Sequence, residues 1–591
     1  MTRGGGEPAG DVLDKLTEAL GHRGPDGEGR YVLGDTALLQ VRLAIIDLAT
    51  GDQPLFADAG ALRPPLALVA NGEIYNYIEL KRSIAGVDFK TQSDCEPPLF
   101  LYRQHGIDFA QHLRGMYAIA IHDPGEGRLV LARDPFGIKP LYYGQTEDGF
   151  VFASEFQAFL NAGLAKPKVR PEAHDELLQL QFTTGAETIL EGIYRVLPGE
   201  TLVVEKGEIV ERLKLSALPP VGPPAGGQTL SKDMALRDLD RVLEDSVSIH
   251  QRSDVPYGMF LSGGVDSSAL LAMMSRLNAE PVHALTAGFS GTDVHDERDH
   301  ARTVAKACGA QHTEIDFSED DFWSLLPEIA AAMDDPAADY AILPTYKLAA
   351  RAHEAELKVV LSGEGGDELF GGYGRYRKAM RPRILGGRDI RQNGALEGMG
   401  LLRSHDRHWR DGIAAVEDDL PKGLTRLQRA QAIDCADWLP NDLLTKLDRC
   451  LMAHGVEGRV PFLDPRVADF AYQLGDGLKV RKRRGKWLLR AWLDKALPVA
   501  DAFSAKRGFT VPVGEWIAKK AKNLGPMIVA QPGIEEACNV DSVSRLFAGL
   551  DGNDRKSGQA AWLVLYYALW HNHHVVGRPS RGGVFDSLSP I

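Results

Sequence analysis

The sequence lacks any apolar stretch near the roughly 18 residues that a membrane-spanning helix needs. Its opening, MTRGGGEPAG, has no apolar core of the kind a secretory signal carries. Cysteine is scarce: Cys95, Cys308, Cys435, Cys450 and Cys538 are scattered through 591 residues, with no CxxC pair and no histidine beside them. That pattern excludes a disulfide scaffold and a zinc ribbon, and it fits reduced thiols in a cytoplasmic protein. A basic face is lacking too. The formal net charge is −14, and the one dense basic run, Lys479 to Arg484, reads as a solvated face. A nucleic-acid footprint would show as a basic stripe, so no nucleic-acid partner and no membrane are expected.

What is present divides along the chain. A length of 591 residues is too great for one core. Residues 1–212 carry short apolar runs (Tyr31 to Leu33, Ala37 to Asp47, Leu66 to Ala70, Tyr117 to His122, Leu129 to Ala132, Phe150 to Ala153, Thr201 to Val204) separated by Gly, Asp and Pro. This is strand-and-turn punctuation, with helices expected at Asp11–Leu20 and Ile78–Ala85. Residues 213–232, rich in Pro and Gly, read as a linker. From 233 to 575 helices alternate with strands: Met234–Gln251, Tyr257–Leu261, Ser267–Leu277, Val282–Phe289, Glu297–Cys308. That alternation predicts a doubly wound parallel sheet with added helices. Residues 385–425 read as an insertion or mobile loop, and the tail 576–591 as frayed.

Two Gly-rich loops carry the chemistry. Ser262-Gly263-Gly264-Val265-Asp266-Ser267-Ser268 follows an apolar strand and opens a helix. Backbone N–H groups, two hydroxyls and a helix N-terminus make an anion cradle. No Gly-Lys-Ser/Thr follows, so it is not a Walker A loop. A plain Gly-rich turn would leave the carboxylate of Asp266 unexplained; holding Mg²⁺ against phosphates explains it. The second loop, Ser362-Gly363-Glu364-Gly365-Gly366-Asp367-Glu368, again follows an apolar strand and crowds acids among glycines. Ala287 and Gly288 end the neighbouring strand, where a nucleotide base rests in an open sheet crevice.

The first loop resembles the signature of PP-loop ATP pyrophosphatases, and SGEGGDELFGGY resembles that of glutamine-hydrolysing asparagine synthetases. The resemblance implies ATP bound by Ser262, Gly263, Gly264, Asp266, Ser267, Ala287, Ser362 and Gly363, and Mg²⁺ bound by Asp266 and Asp367. It implies Glu364 in intermediate formation and in taking a proton from attacking ammonia. Lys486, in Arg484-Gly485-Lys486-Trp487-Leu488-Leu489-Arg490, resembles the lysine that neutralises charge on the phosphates. Asp334-Asp335-Pro336, Lys446-Leu447-Asp448-Arg449, Glu457 to Asp464 and Lys506-Arg507-Gly508-Phe509 extend the match. Gly455 and Asp335 depart from the family's more common Ser and Glu, at positions expected near the acceptor.

The N-terminal half resembles a class II glutamine amidotransferase through His22-Arg23-Gly24-Pro25-Asp26-Gly27, Arg42 to Asp47, Asn71-Gly72-Glu73, Ser93-Asp94 and Ala132 to Gly137. An Ntn-hydrolase-type α+β fold, an αββα sandwich, is implied. Arg42 and Asp94 are implied to hold the α-carboxylate and α-amine of glutamine, Asn71 and Gly72 to form the oxyanion hole, and Glu73 to lie behind them or touch the amine. That family opens on a strand whose first residue is a cysteine using its own α-amine as base. This numbering holds no such strand, and Cys95 has no free α-amine. The expectation is a natural start upstream with a Met-Cys-Gly segment, and ammonia-dependent synthesis for the chain as numbered.

The expected reaction is conversion of aspartate to asparagine through β-aspartyl-AMP, with ammonia from glutamine or from solution, in a chain that could form a homodimer. The rivals are the same chemistry on another carboxylate, β-lactam closure, a tRNA-modifying PP-loop enzyme and a non-catalytic binding protein.

Overall fold

The computed structural model describes residues 1–57, 64–220, 230–290, 297–404, 408–504, 511–552 and 554–589. The N-terminal strands are β1 (Gly27–Leu33), β2 (Thr36–Arg42), β3 (Leu55–Ala57), β4 (Leu66–Ile74), β5 (Gly115–Asp123), β6 (Arg128–Arg133), β7 (Tyr142–Thr146), β8 (Gly149–Ala153), β9 (Ile193–Arg195), β10 (Glu200–Glu205) and β11 (Glu208–Lys214). They form an antiparallel sheet ordered β11-β10-β6-β5-β4-β3, a three-stranded sheet β8-β7-β9 and the hairpin β1-β2.

The alternation along β5 explains the layering. Tyr117, Ile119 and Ile121 face one core, shared with Leu80 and Leu99 of helices Tyr77–Ser83 and Pro97–His105. Ala118 and Ala120 face the other, shared with Leu38 and Phe150 of the opposing strands and with Leu141 just before β7. A period of two places successive side chains on opposite faces, so one strand serves both cores. Leu16 and Leu20 of helix Gly10–Leu20 join Tyr142 and Ala153 beyond the second sheet layer. The order helix, sheet, sheet, helix is the sandwich that the resemblance implied.

The C-terminal half holds β12 (Tyr257–Phe260), β13 (His283–Gly288), β14 (Gln311–Asp316), β15 (Val359–Leu361) and β16 (Glu457–Arg459). They pair in parallel in the order β14-β13-β12-β15-β16. Helices Lys232–His250 and Val265–Leu277 match the expected ones within two residues at each end.

Three expectations need correction. The described part of the tail is docked rather than frayed. Helix Val584–Leu588 buries Val584 and Leu588, and Gln531 Nε2 donates to Leu588 O at 2.8 Å. The segment 385–425 is not a mobile loop where described: Ile390, Trp409 and Ile413 are buried in a core with Tyr376 and Leu427. In the basic run, Arg481 to Arg484 are exposed but Lys479 is fully buried. Its ammonium nitrogen donates to Gln431 Oε1 at 3.0 Å and to Tyr472 O at 2.9 Å. A lysine stem of four carbons packs readily, and two acceptors satisfy its head.

Candidate functional site

β12 and β15 are neighbours at the centre of the parallel sheet, and each ends in one of the Gly-rich loops. Strand pairing therefore brings the two loops face to face. Their glycines are dictated by this contact. A Cβ on Gly366 would stand 2.5 Å from Asp266 Oδ1, and one on Gly372 would stand 1.7 Å from Asp367 Oδ1 and 2.3 Å from Lys486 Cε.

Lys486 closes the site. It is buried, its Nζ lies 2.7 Å from Asp367 Oδ1, and it also pairs with Asp266 Oδ2. Its φ of 55° lies in the left-handed region that side chains seldom adopt, a strain of the kind found at functional sites. Burial opposes its charge, but Asp266 and then Asp367 hold the ammonium above its ordinary pKa. Ser262 and Ser267 hydroxyls are 3.1 Å apart in the first loop, and Ser362 Oγ donates to Glu364 Oε2 in the second. Ala287 is buried at the end of β13, next in the sheet. Gly363 packs on Asp266, its hypothetical Cβ 3.1 Å from that of the aspartate.

The expected glutamine residues also meet. Arg42, Asn71, Gly72, Glu73 and Asp94 line one cavity of about 420 Å³. Arg42 is held by Asp52 at 2.7 Å and by Asp47 O at 2.6 Å. Asn71 Nδ2 donates to Ser154 Oγ at 3.3 Å. Gly72 has φ 141°, and a Cβ there would lie 2.0 Å from Met116 O. Asp94 accepts from Ile74 N at 2.7 Å, and burial pushes its carboxyl up to about 6. Cys95 also lines the cavity, but burial, then Asp94, pushes its thiol well up, so it stays a thiol.

The same cavity runs between the facing edges of β2 and β8, which do not pair with each other. Met1 to Arg3 run alongside β8 and the turn before β2. Phe150 N donates to Met1 O at 2.9 Å, and Thr2 N donates to Asp35 O at 2.8 Å.

The junction of the halves is charged and buried. Arg23 donates to Glu155 at 2.6 Å and to Asp448 at 2.8 and 3.0 Å, and Arg449 donates to Asp334 at 2.6 Å. Asp335 accepts from Arg195 at 2.6 Å and from Tyr142 OH at 2.8 Å. Gly455 lies against Pro25. Asp335 and Gly455, expected near the acceptor, both contact the N-terminal half.

Sequence reading gave no individual role to Lys446, Lys139 or Arg459. Lys446 lies 3.1 Å from Asp339, and despite burial Asp339, then Glu364 and Asp442, hold its charge. Its only signal was the KLDR string. The segment Lys506 to Phe509 lies outside the described residues.

Comparison with known proteins covers both halves of the chain. The family model described as asparagine synthase matches residues 238–572, and that described as a glutamine amidotransferase domain matches residues 3–213. A Mycobacterium tuberculosis protein is 33% identical over 98% of this chain and 96% of its own length. The glutamine-hydrolyzing asparagine synthetase 1 of Bacillus subtilis is 31% identical, covering 96% of this chain and 94% of that one. Asparagine synthetase B of Escherichia coli is 29% identical over 85% of this chain and 79% of its own. The chain belongs to the asparagine synthase family and carries a glutamine amidotransferase domain at its N-terminal end.

Proposed function

We propose that the chain converts aspartate to asparagine at the expense of ATP, and that the N-terminal cavity binds glutamine as the nitrogen source. The observation that carries the synthetase reading is the meeting of Asp266, Asp367 and Lys486 between two Gly-rich loops. An oxygen of the aspartate β-carboxylate attacks the α-phosphorus of ATP, and the bond to pyrophosphate breaks. Lys486 offsets the negative charge that develops on the phosphates. Ammonia then attacks the acyl carbon of β-aspartyl-AMP, Glu364 takes a proton from it, and asparagine and AMP leave. Ser262, Gly263, Gly264, Ser267, Ser362 and Gly363 hold the nucleotide, and Ala287 flanks its base.

Asp266 and Asp367 fit Mg²⁺. They present hard carboxylate oxygens from opposing loops. No group of three or more ligating side chains lies among the described residues, and Mg²⁺ is commonly held by one or two carboxylates plus substrate phosphates. Bound there, Mg²⁺ neutralises phosphate charge during displacement.

In the N-terminal cavity Arg42 and Asp94 suit the carboxylate and ammonium of glutamine. The Asn71 amide and the Gly72 N–H suit the oxyanion of acyl transfer. The thiol of Cys95 is unsuited to attack, because it is un-ionised and has no α-amine beside it. Five free thiols support a reducing, cytoplasmic setting.

Product formation tests this. With ATP and Mg²⁺, aspartate should trigger pyrophosphate release and ammonium should yield asparagine. Pyrophosphate release that ignores aspartate but answers to another carboxylic acid would transfer the reading to that acceptor. Asparagine formation with glutamine in place of ammonium would show a working glutaminase within residues 1–212.

A further inference from the structure

Arg459 touches both sites. Its main-chain carbonyl accepts from Ser362 N at 2.8 Å, at the start of the second Gly-rich loop. Its side chain, fully buried, reaches the other way, where Nη2 lies 3.1 Å from Glu73 Oε1, next in chain to Gly72. The guanidinium also contacts Glu457 Oε1 through Nε at 2.9 Å, and His250 O at 2.9 Å and Arg252 O at 2.7 Å through Nη1, and it lies over the Tyr75 ring. Glu457 has a second cation, Lys139 from the N-terminal half, at 3.2 Å.

The guanidinium thus stands between two carboxylates, Glu73 and Glu457, and the balance is adjustable. Glu73 lines the glutamine cavity with Asp94. Burial pushes its carboxyl well up even though Arg459 pulls the other way, so its charge is held weakly. A ligand ammonium entering beside Asp94 and Glu73 competes with Arg459 for Glu73. The guanidinium then leans on Glu457, its neighbour on β16. Three residues make that strand, and Leu361 pairs with Arg459 itself. A shift of Arg459 therefore moves Ser362 without passing through a long chain of contacts.

We propose that Arg459 is a positioning residue that couples occupancy of the glutamine cavity to the nucleotide loop through its links to Glu73 and Ser362. The proposal rests on the reading of that cavity as the glutamine site. Coupling of this kind is reciprocal, so ATP also changes the affinity for glutamine.

The test uses the full chain with ammonium and aspartate saturating. Pyrophosphate release is followed against ATP with and without L-glutamine, and glutamine binding is measured separately by calorimetry. In the unsubstituted chain glutamine should shift the KM for ATP by about five-fold or more, the lower range of such couplings. Arg459→Lys keeps the charge but cannot span both carboxylates. It should bind glutamine yet lose the shift while keeping ammonia-dependent kcat within about two-fold, a small part of that coupling range. Lys139→Met leaves Glu457 to Arg459 alone and should also abolish the shift, which decides the matter if Arg459→Lys does not fold. A full shift in a folded Arg459→Lys, or a full shift in Lys139→Met, overturns the proposal. Glutamine binding without any shift in the unsubstituted chain overturns the relay alone. Absence of glutamine binding overturns the glutamine-site reading and the relay with it.

Discussion

Lys486 Nζ lies 2.7 Å from Asp367 Oδ1 and also contacts Asp266, so one ammonium ties the two nucleotide loops together. The lysine is buried, and its left-handed backbone aims it inward from the start of helix Trp487–Ala496. A fixed cation of this kind acts mainly on the transition state. Lys486→Met is expected to lower aspartate-dependent pyrophosphate release by about 10²–10³-fold, the cost of one lost electrostatic stabiliser. The KM for ATP should change much less, and steady-state kinetics at saturating ammonium separates the two effects.

Asp94 is expected to make glutamine binding depend on pH. Burial raises its carboxyl to about 6, helped by Glu457 and opposed by the Ile74 N–H, Cys95 and Arg459. An ammonium ligand needs the ionised form. Glutamine affinity should fall about ten-fold per pH unit below 6 and level off above it, since each unit corresponds to 1.36 kcal/mol. Titration calorimetry from about one pH unit below that value to about two above it should show this. Asp94→Asn should bind weakly at every pH; retention of the pH dependence in that variant would assign it elsewhere.

Arg449 and Asp334 are both fully buried at the junction of the halves. Removing one partner of such a pair strands a charge and costs about 3–5 kcal/mol, whereas replacing both is far milder. Arg449→Met should therefore lower the melting temperature sharply. Adding Asp334→Asn should recover part of the loss, as read by a double-mutant cycle.

Lys479 should leave a signature in stability. Burial lowers its pKa to about 7, with Asp476 and Cys435 too weak to restore it. Between that value and the unfolded lysine value of about 10.4, the unfolded chain binds the extra proton, so stability rises with pH. The full rise is on the order of 5 kcal/mol. Urea midpoints from pH 7 to 10, about the span between those two pKa values, should climb in the parent and stay flatter in Lys479→Met.

Much of this was legible in the sequence because it is written locally. Glycines, serines and acids at close spacing after an apolar strand announce a phosphate loop wherever the chain places it. The alternating runs of residues 1–212 and the strand–helix alternation after 233 predicted two different architectures, and both are found. Local reading failed where the environment is supplied from far away. Lys479 sits in a basic run that looks solvated, but Gln431 and Tyr472 enclose it. The tail after His574 shows little periodicity, but Gln531 and Pro327 receive it by hydrogen bonds to Leu588 O and from Ser580 Oγ.

The sequence by itself determined the fold classes and the position of the two Gly-rich loops after apolar strands, because side-chain period and backbone permissiveness are properties of short segments. Only the tertiary structure decided the partners. It set Lys486 between Asp266 and Asp367, paired Asp335 with Arg195 at the junction, and placed Arg459 against Glu73. Each is a contact between charges far apart in the chain. Such charges meet only once strand order and domain packing have been set by apolar burial, which has no memory of sequence distance.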